Sequence, residues 1–271
     1  MDTLKKQTQS LTKDEEQFAN DLFNAYETHK PLLMKDYNKV NTEDAAYRVQ
    51  ARLTELKKEP VGGYKVSLTS KQTQDMFDSD SPLYGAQVQS HFLQSPVTLH
   101  HNEMMEPLAE VEMLFKAKED LKASDSLEDL LHKTQVAAAV EVPDSRFKDW
   151  FPDLSKYNVM ADAAVGGYVV YDNEVDTDKL FDNVDDLANV HCELFHDGKK
   201  LKDGASSEVL GNPLNSLHWL VSKLEQQGNP LTKGQRVSSG TFLLPEKLTA
   251  GNWRATFDKG LGAVLLNVTA K

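Results

Sequence analysis

Apolar side chains recur along this chain first at helical and then at strand spacing. Thr12 followed by Glu15 forms a capping-box pattern, and Phe18, Leu22, Phe23 and Tyr26 then fall on one side, so a helix is predicted that closes at Pro31. A second is predicted over 42–58, with Ala45, Val49, Leu53 and Leu56 as its buried stripe and Glu59-Pro60 and Gly62-Gly63 as its stop. Residues 1–60 therefore read as an amino-terminal helical region. After Gly63 the period shortens to apolar or alternating stretches bounded by Gly, Pro, Asp and Asn, so 61–271 is expected to be rich in strands.

The clearest local unit spans 189–202. Val190, Cys192 and Leu194 alternate with polar residues up to Asp197-Gly198, a favoured two-residue hairpin turn. Two helices are predicted to interrupt the strands. A short one follows Ser126, which can cap with Asp129. A longer one opens at Asn212-Pro213, lines up Leu214, Leu217, Leu220, Val221 and Leu224, and ends at Gly228. There is no internal repeat.

Composition narrows the partners rather than the fold. A hydrophobic fraction of 39% with 27% charged residues is ordinary for a globular chain. A net charge of −12 argues against nucleic acid or an anionic membrane as partner of the bulk surface, and the acidic stretch 173–186 reads as a solvated face. The lone Cys192 excludes an intrachain disulfide and fits small core packing. The polar stretch Met1 to Glu16 lacks a signal-like apolar run, and no segment approaches about 18 apolar residues, so a cytoplasmic protein is expected.

Three carboxylates stand out. The alternation of 109–115 puts Glu110 and Glu112 on one face of a strand, roughly 7 Å apart. Glu141 interrupts the apolar run 136–142, where an uncompensated carboxylate is costly. A solvated strand edge or strand end accommodates such residues; a cation shared by all three does so too and cancels their repulsion. An all-oxygen set suits magnesium or manganese better than zinc. His100 and His101 lack the spacing of a zinc motif, and His191, His196 and His218 read as ordinary hydrogen-bonded groups. The glycines at 166–167 and 260–262 do not form a nucleotide-binding fingerprint, and no nucleophile elbow is present.

Several stretches together resemble the 2-keto-4-pentenoate hydratase family of the fumarylacetoacetate hydrolase-like superfamily, which includes 2-oxohept-3-ene-1,7-dioate hydratase and 4-oxalocrotonate decarboxylase. They are Gly63-Tyr64-Lys65-Val66 leading to Leu68-Thr69-Ser70, Pro82-Leu83-Tyr84-Gly85, Glu110-Val111-Glu112, Val140-Glu141 leading to Asp144-Ser145-Arg146, and Gly211-Asn212-Pro213-Leu214. The resemblance implies an α+β architecture, the helical region being followed by a mixed β-roll or β-sandwich domain of the fumarylacetoacetate hydrolase C-terminal type, usually in a homo-oligomer. It implies Glu110, Glu112 and Glu141 as ligands of Mg2+ or Mn2+ and Lys65 as the active-site lysine. Ser70, Leu83 and the loop Ser238, Ser239, Gly240 and Thr241 fall at its substrate-binding positions. Asp144 and Arg146 are candidates for a buried pair that orients the metal strand.

The implied activity is addition of water to a 2-hydroxy-dienoic or 2-oxo-enoic acid, as in the conversion of 2-hydroxypenta-2,4-dienoate to 4-hydroxy-2-oxopentanoate. Decarboxylation of a vinylogous 2-oxo acid, or a non-catalytic metal-binding subunit, are the alternatives. Two positions depart from the family's pattern: Leu83 stands where an acidic residue is usual, and Ser67 where glycine is.

Overall fold

The computed structural model describes residues 11–270, so the part of the polar amino-terminal stretch up to Ser10 lies outside the described residues. Both amino-terminal helices form where the caps place them. Lys13–Thr28 is closed by the reciprocal Thr12 and Glu15 bonds, and Glu43–Leu56 begins at Thr42, whose side chain accepts from the Ala45 amide. Arg48 of the second helix then pairs with Glu15 of the first at 2.6 Å, fixing one against the other. Phe18, Leu22, Val49 and Leu53 join the same apolar core as the strands that follow.

Those strands are β1 (Val61–Ser67), β2 (Leu83–Val88), β3 (Phe92–Gln94), β4 (Val97–His100), β5 (Leu108–Ala117), β6 (Thr134–Val142), β7 (Tyr168–Tyr171), β8 (Val175–Asp176), β9 (His191–His196), β10 (Lys199–Ala205), β11 (Arg236–Thr241), β12 (Glu246–Lys247), β13 (Gly251–Phe257) and β14 (Gly262–Thr269). One sheet runs β2-β1-β11-β5-β6-β7-β3, with β12 on β5 and β8 on β6; the other runs β10-β9-β13-β14-β4. Both are mixed, since β1 with β11, β3 with β7 and β14 with β4 pair in parallel. The Asp197-Gly198 hairpin joins β9 to β10, both turn residues having positive φ as a two-residue turn of this kind requires. Cys192 packs in the core.

The helices Leu127–Lys133 and Pro213–Gln226 start at the Ser126 and Asn212 caps. Leu214, Leu217, Leu220, Val221 and Leu224 are buried, as the longer helix's stripe predicts. Three further short helices, Lys71–Met76, Lys156–Ala161 and Thr177–Leu180, escape the periodicity because none is long enough to show one. Among the described residues no helix is long and apolar enough to cross a membrane.

The expected Asp144 and Arg146 pair is not formed. Arg146 Nε donates to Asp162, whose other oxygen accepts from the Arg146 amide and the Ser145 hydroxyl, each at 2.9 Å. Asp144 instead accepts from the Met105 and Glu106 amides at 2.9 and 2.7 Å, pinning the turn that leads into β5. A carboxylate 16 residues downstream collects three donors at once, which a neighbour two residues away in an irregular segment does not match.

Candidate functional site

Register creates the site. In the antiparallel pairing of β5 and β6, Glu110 faces Glu141 and Glu112 faces Ala139, so the two-residue period of β5 brings the third carboxylate to the same face. Each of the three offers an oxygen within 4.8 Å of the others. Glu112 and Glu141 are buried, while Glu110 keeps part of its surface open. Lys65 sits three strands away in the sheet order, and its long side chain brings Nζ to 3.0 Å from Glu141 Oε2. The lysine is itself buried, so this is an ion pair in a dry setting.

A bulge in β11 supplies the rest. Between the pairs Ser238 with Leu114 and Thr241 with Glu112, β11 carries one residue more than β5. The extra residue lets two donors converge on one oxygen: the Ser238 hydroxyl lies 2.5 Å and the Gly240 amide 2.9 Å from Glu112 Oε2. Gly240 has φ +117°, and a Cβ there would lie 2.2 Å from Thr69 Oγ1, so only glycine fits. The other oxygen, Glu112 Oε1, is buried with no hydrogen-bond partner.

That orphan oxygen shows what the cluster lacks. Three carboxylates against one ammonium leave negative charge in low dielectric, which burial and mutual repulsion oppose. Burial pushes Glu112 up to about 7 and Glu110 and Glu141 up to about 8. For Lys65 burial works downward, but the attraction of Glu141, Glu110 and Glu112 outweighs it, so the lysine stays protonated near neutrality. A divalent cation fits this set: it would pair the orphan oxygen and neutralise the surplus charge, and oxygen-only donors suit a hard ion such as magnesium or manganese.

The cluster lies beside a narrow cleft with about 40 Å³ of room, whose lining includes Lys65, Glu110, the hydroxyl residues Ser67, Thr69, Thr73 and Thr241, and the rings of Phe77, Trp150 and Phe151. A roomier cleft of about 530 Å³ on the five-stranded sheet is bordered by Phe195, Trp253 and Leu265 and has no acidic side chain in its lining.

The residues expected at the substrate site separate into groups. Lys65 and Thr241 line the cleft, and Gly240 holds Glu112. Ser70 caps the helix Lys71–Met76, accepting from the Thr73 amide, and borders a neighbouring cleft shared with Thr241. Ser239 is buried and donates to the Met113 carbonyl at 2.7 Å. Leu83 is fully buried among core side chains and is not part of the cleft lining. Ser238, expected with its loop at a substrate-binding position, instead holds Glu112, while Thr69, Phe77, Trp150 and Phe151 border the cleft without a role expected from the sequence. The Ser-Ser-Gly-Thr run held a signal for Ser238, but which serine faces the carboxylate depends on the bulge.

A mixed β-fold carrying three convergent glutamates and a buried lysine defines the class. Its architecture is that of the fumarylacetoacetate hydrolase-like proteins: 4-oxalocrotonate decarboxylase from Pseudomonas putida G7, solved with magnesium and adipate, superposes with a TM-score of 0.86 over 96% of this chain and 99% of that one, at 22% identity. No protein-family model matches the chain. Among curated proteins, the 2-keto-4-pentenoate hydratase of Burkholderia vietnamiensis is 32% identical over 83% of this chain and 85% of its own length. The 2-hydroxyhexa-2,4-dienoate hydratase of Comamonas testosteroni is 29% identical, covering 88% and 90%. The chain belongs to the 2-keto-4-pentenoate hydratase family, whose named members are hydro-lyases.

Proposed function

We propose that this protein is a divalent-metal-dependent hydratase converting a 2-hydroxy-2,4-dienoate, of the 2-hydroxypenta-2,4-dienoate type, to the corresponding 4-hydroxy-2-oxo acid. The observation that carries the reading is the buried Glu110, Glu112 and Glu141 cluster with its orphan oxygen, beside a buried lysine and a cleft. Glu110, Glu112 and Glu141 would hold magnesium or manganese, which when bound supplies Lewis acidity toward the oxygens of a 2-oxo acid.

The remaining work belongs to the chain. Lys65, kept protonated by the surrounding carboxylates, is a fixed cation for the negative charge that develops on a substrate oxygen during tautomerisation. Ser238 and Gly240 clamp Glu112 so that its free oxygen keeps its direction. Phe77, Trp150 and Phe151 give the cleft apolar surface, which disfavours bulk water beside the carboxylates. In the balanced reaction the enol proton leaves oxygen and a proton arrives at C5; water then delivers its oxygen to C4 and a proton to C3.

Loss of the dienoate's ultraviolet absorbance tests this directly. Protein supplied with magnesium should remove the absorbance and yield 4-hydroxy-2-oxopentanoate. An unchanged absorbance, under conditions where a known hydratase removes it, contradicts the assignment.

A further inference from the structure

Strand alternation sends Lys65 toward the carboxylates and its neighbour Tyr64 to the opposite face of β1. There Tyr64 lines a cavity of about 360 Å³ between the sheet and the helices Glu43–Leu56 and Pro213–Gln226. Its walls are aromatic. Tyr47 stacks on Tyr84 at 4.6 Å between ring centroids, and Tyr64 meets Tyr84 edge-on at 5.9 Å. The side chains around the rings, among them Gln50, Thr54 and Gln235, are polar but uncharged, and no acidic or basic residue is part of the lining. Lys223, 5.8 Å from the centre of the Tyr47 ring, is paired with Glu43 and stands outside it.

Most polar groups of the cavity are committed. Gln50 Nε2 donates to the Tyr84 and Met160 carbonyls at 3.0 and 2.7 Å, its Oε1 accepts from the Ala86 amide at 3.0 Å, and the Tyr84 hydroxyl donates to Gln227. Two hydroxyls differ. That of Tyr47 accepts from the Tyr84 amide at 3.3 Å, and that of Tyr64 accepts from Gln235, whose Oε1 is held by the Thr232 amide. A phenol oxygen that accepts still has its own hydrogen to give. Burial raises both hydroxyls above the usual tyrosine value, so both stay protonated donors. We propose that this cavity is a binding site for a small uncharged aromatic molecule that carries a hydrogen-bond acceptor. The ring would leave water for the tyrosine walls, and its acceptor would take a hydrogen from Tyr47 or Tyr64. A charged ligand would lose its hydration with no counter-ion in the lining. The volume falls within the roughly 300–1,000 Å³ of small-molecule pockets, which likewise combine apolar walls with a few placed polar groups. The hydration chemistry at the carboxylates makes no use of this cavity, so the two sites stand apart.

Calorimetric titration of the full chain in magnesium buffer, with phenol and with benzoate as its charged counterpart, tests the proposal without relying on turnover. Phenol should bind at one site per chain and at least tenfold more tightly than benzoate. Ala51→Trp, which sends an indole into the cavity from the wall formed by Glu43–Leu56, should abolish phenol binding. Thr232→Trp, at the exposed rim, serves the same purpose if the first variant does not give a native circular dichroism spectrum. Absence of saturable phenol binding overturns the proposal, as does benzoate binding within tenfold of phenol, or phenol binding that survives unchanged in a folded tryptophan variant.

Discussion

Replacing Glu112 by Gln removes one charge while keeping the shape of the side chain, and the metal account predicts opposite consequences with and without cation. The carbonyl oxygen of the new carboxamide can take over the bonds from the Ser238 hydroxyl and the Gly240 amide, and its NH2 group can point toward the Glu141 carboxylate, which offers an oxygen within 4.8 Å. In metal-free protein the carboxylate is a burden. Its pKa is pushed from 4.5 to about 7, so carrying the charge inside the fold costs about 3 kcal/mol more than in the unfolded chain.

Because the folded-state pKa is the higher one, this group's contribution to stability is intact below about 4.5 and declines as pH rises to about 7. Metal-free Glu112→Gln should therefore melt several degrees above metal-free wild type at pH 8, with the gap closing toward pH 5. With magnesium the order reverses. Cation at 1,000 times its Kd stabilises the wild type by about 4.1 kcal/mol, more than the burden of the charge, whereas the variant, lacking one of three carboxylates, gains little. Differential scanning calorimetry at pH 5 and pH 8, with chelator or with magnesium, reads all four conditions. A variant less stable than wild type without metal at pH 8, or equally stabilised by magnesium, refutes the reasoning.

Two further perturbations probe the frame. Gly240→Ala should weaken magnesium binding by roughly 10- to 100-fold, since the added Cβ collides with Thr69 and withdraws the amide that orients Glu112; isothermal titration measures it. Arg146→Met leaves the fully buried Asp162 carboxylate without its cation and should cost about 3 to 5 kcal/mol in urea unfolding, with magnesium affinity per folded molecule nearly unchanged.

Local chemistry made much of this molecule legible in its sequence. The Thr12 and Glu15 cap, the Asp197-Gly198 turn and the apolar stripe of Pro213–Gln226 depend on neighbours within a few residues, and each appears where it was expected. The carboxylates were visible for the same reason: a period of two put Glu110 and Glu112 together, and Glu141 broke an apolar run. What stayed hidden depends on pairing between distant segments. Nothing near β11 in sequence says that it inserts between β1 and β5, nor that a bulge turns Ser238 toward Glu112 while Ser239 points to a backbone carbonyl. Asp162 likewise becomes the partner of Arg146 only once the chain has folded back. Phe77 and Phe151 carry no local pattern, because a cleft wall assembled from two loops has no period to read.

The central claim is that Glu110, Glu112 and Glu141 together hold one divalent cation. Crystals soaked with Mn2+ and 2-oxopentanoate and measured at the manganese absorption edge test it most directly. The account predicts a single strong anomalous peak bonded to one oxygen from each glutamate, at distances near 2.1 Å, with the 2-oxo acid completing the coordination. A peak elsewhere, or none at an occupancy that would be visible, contradicts it.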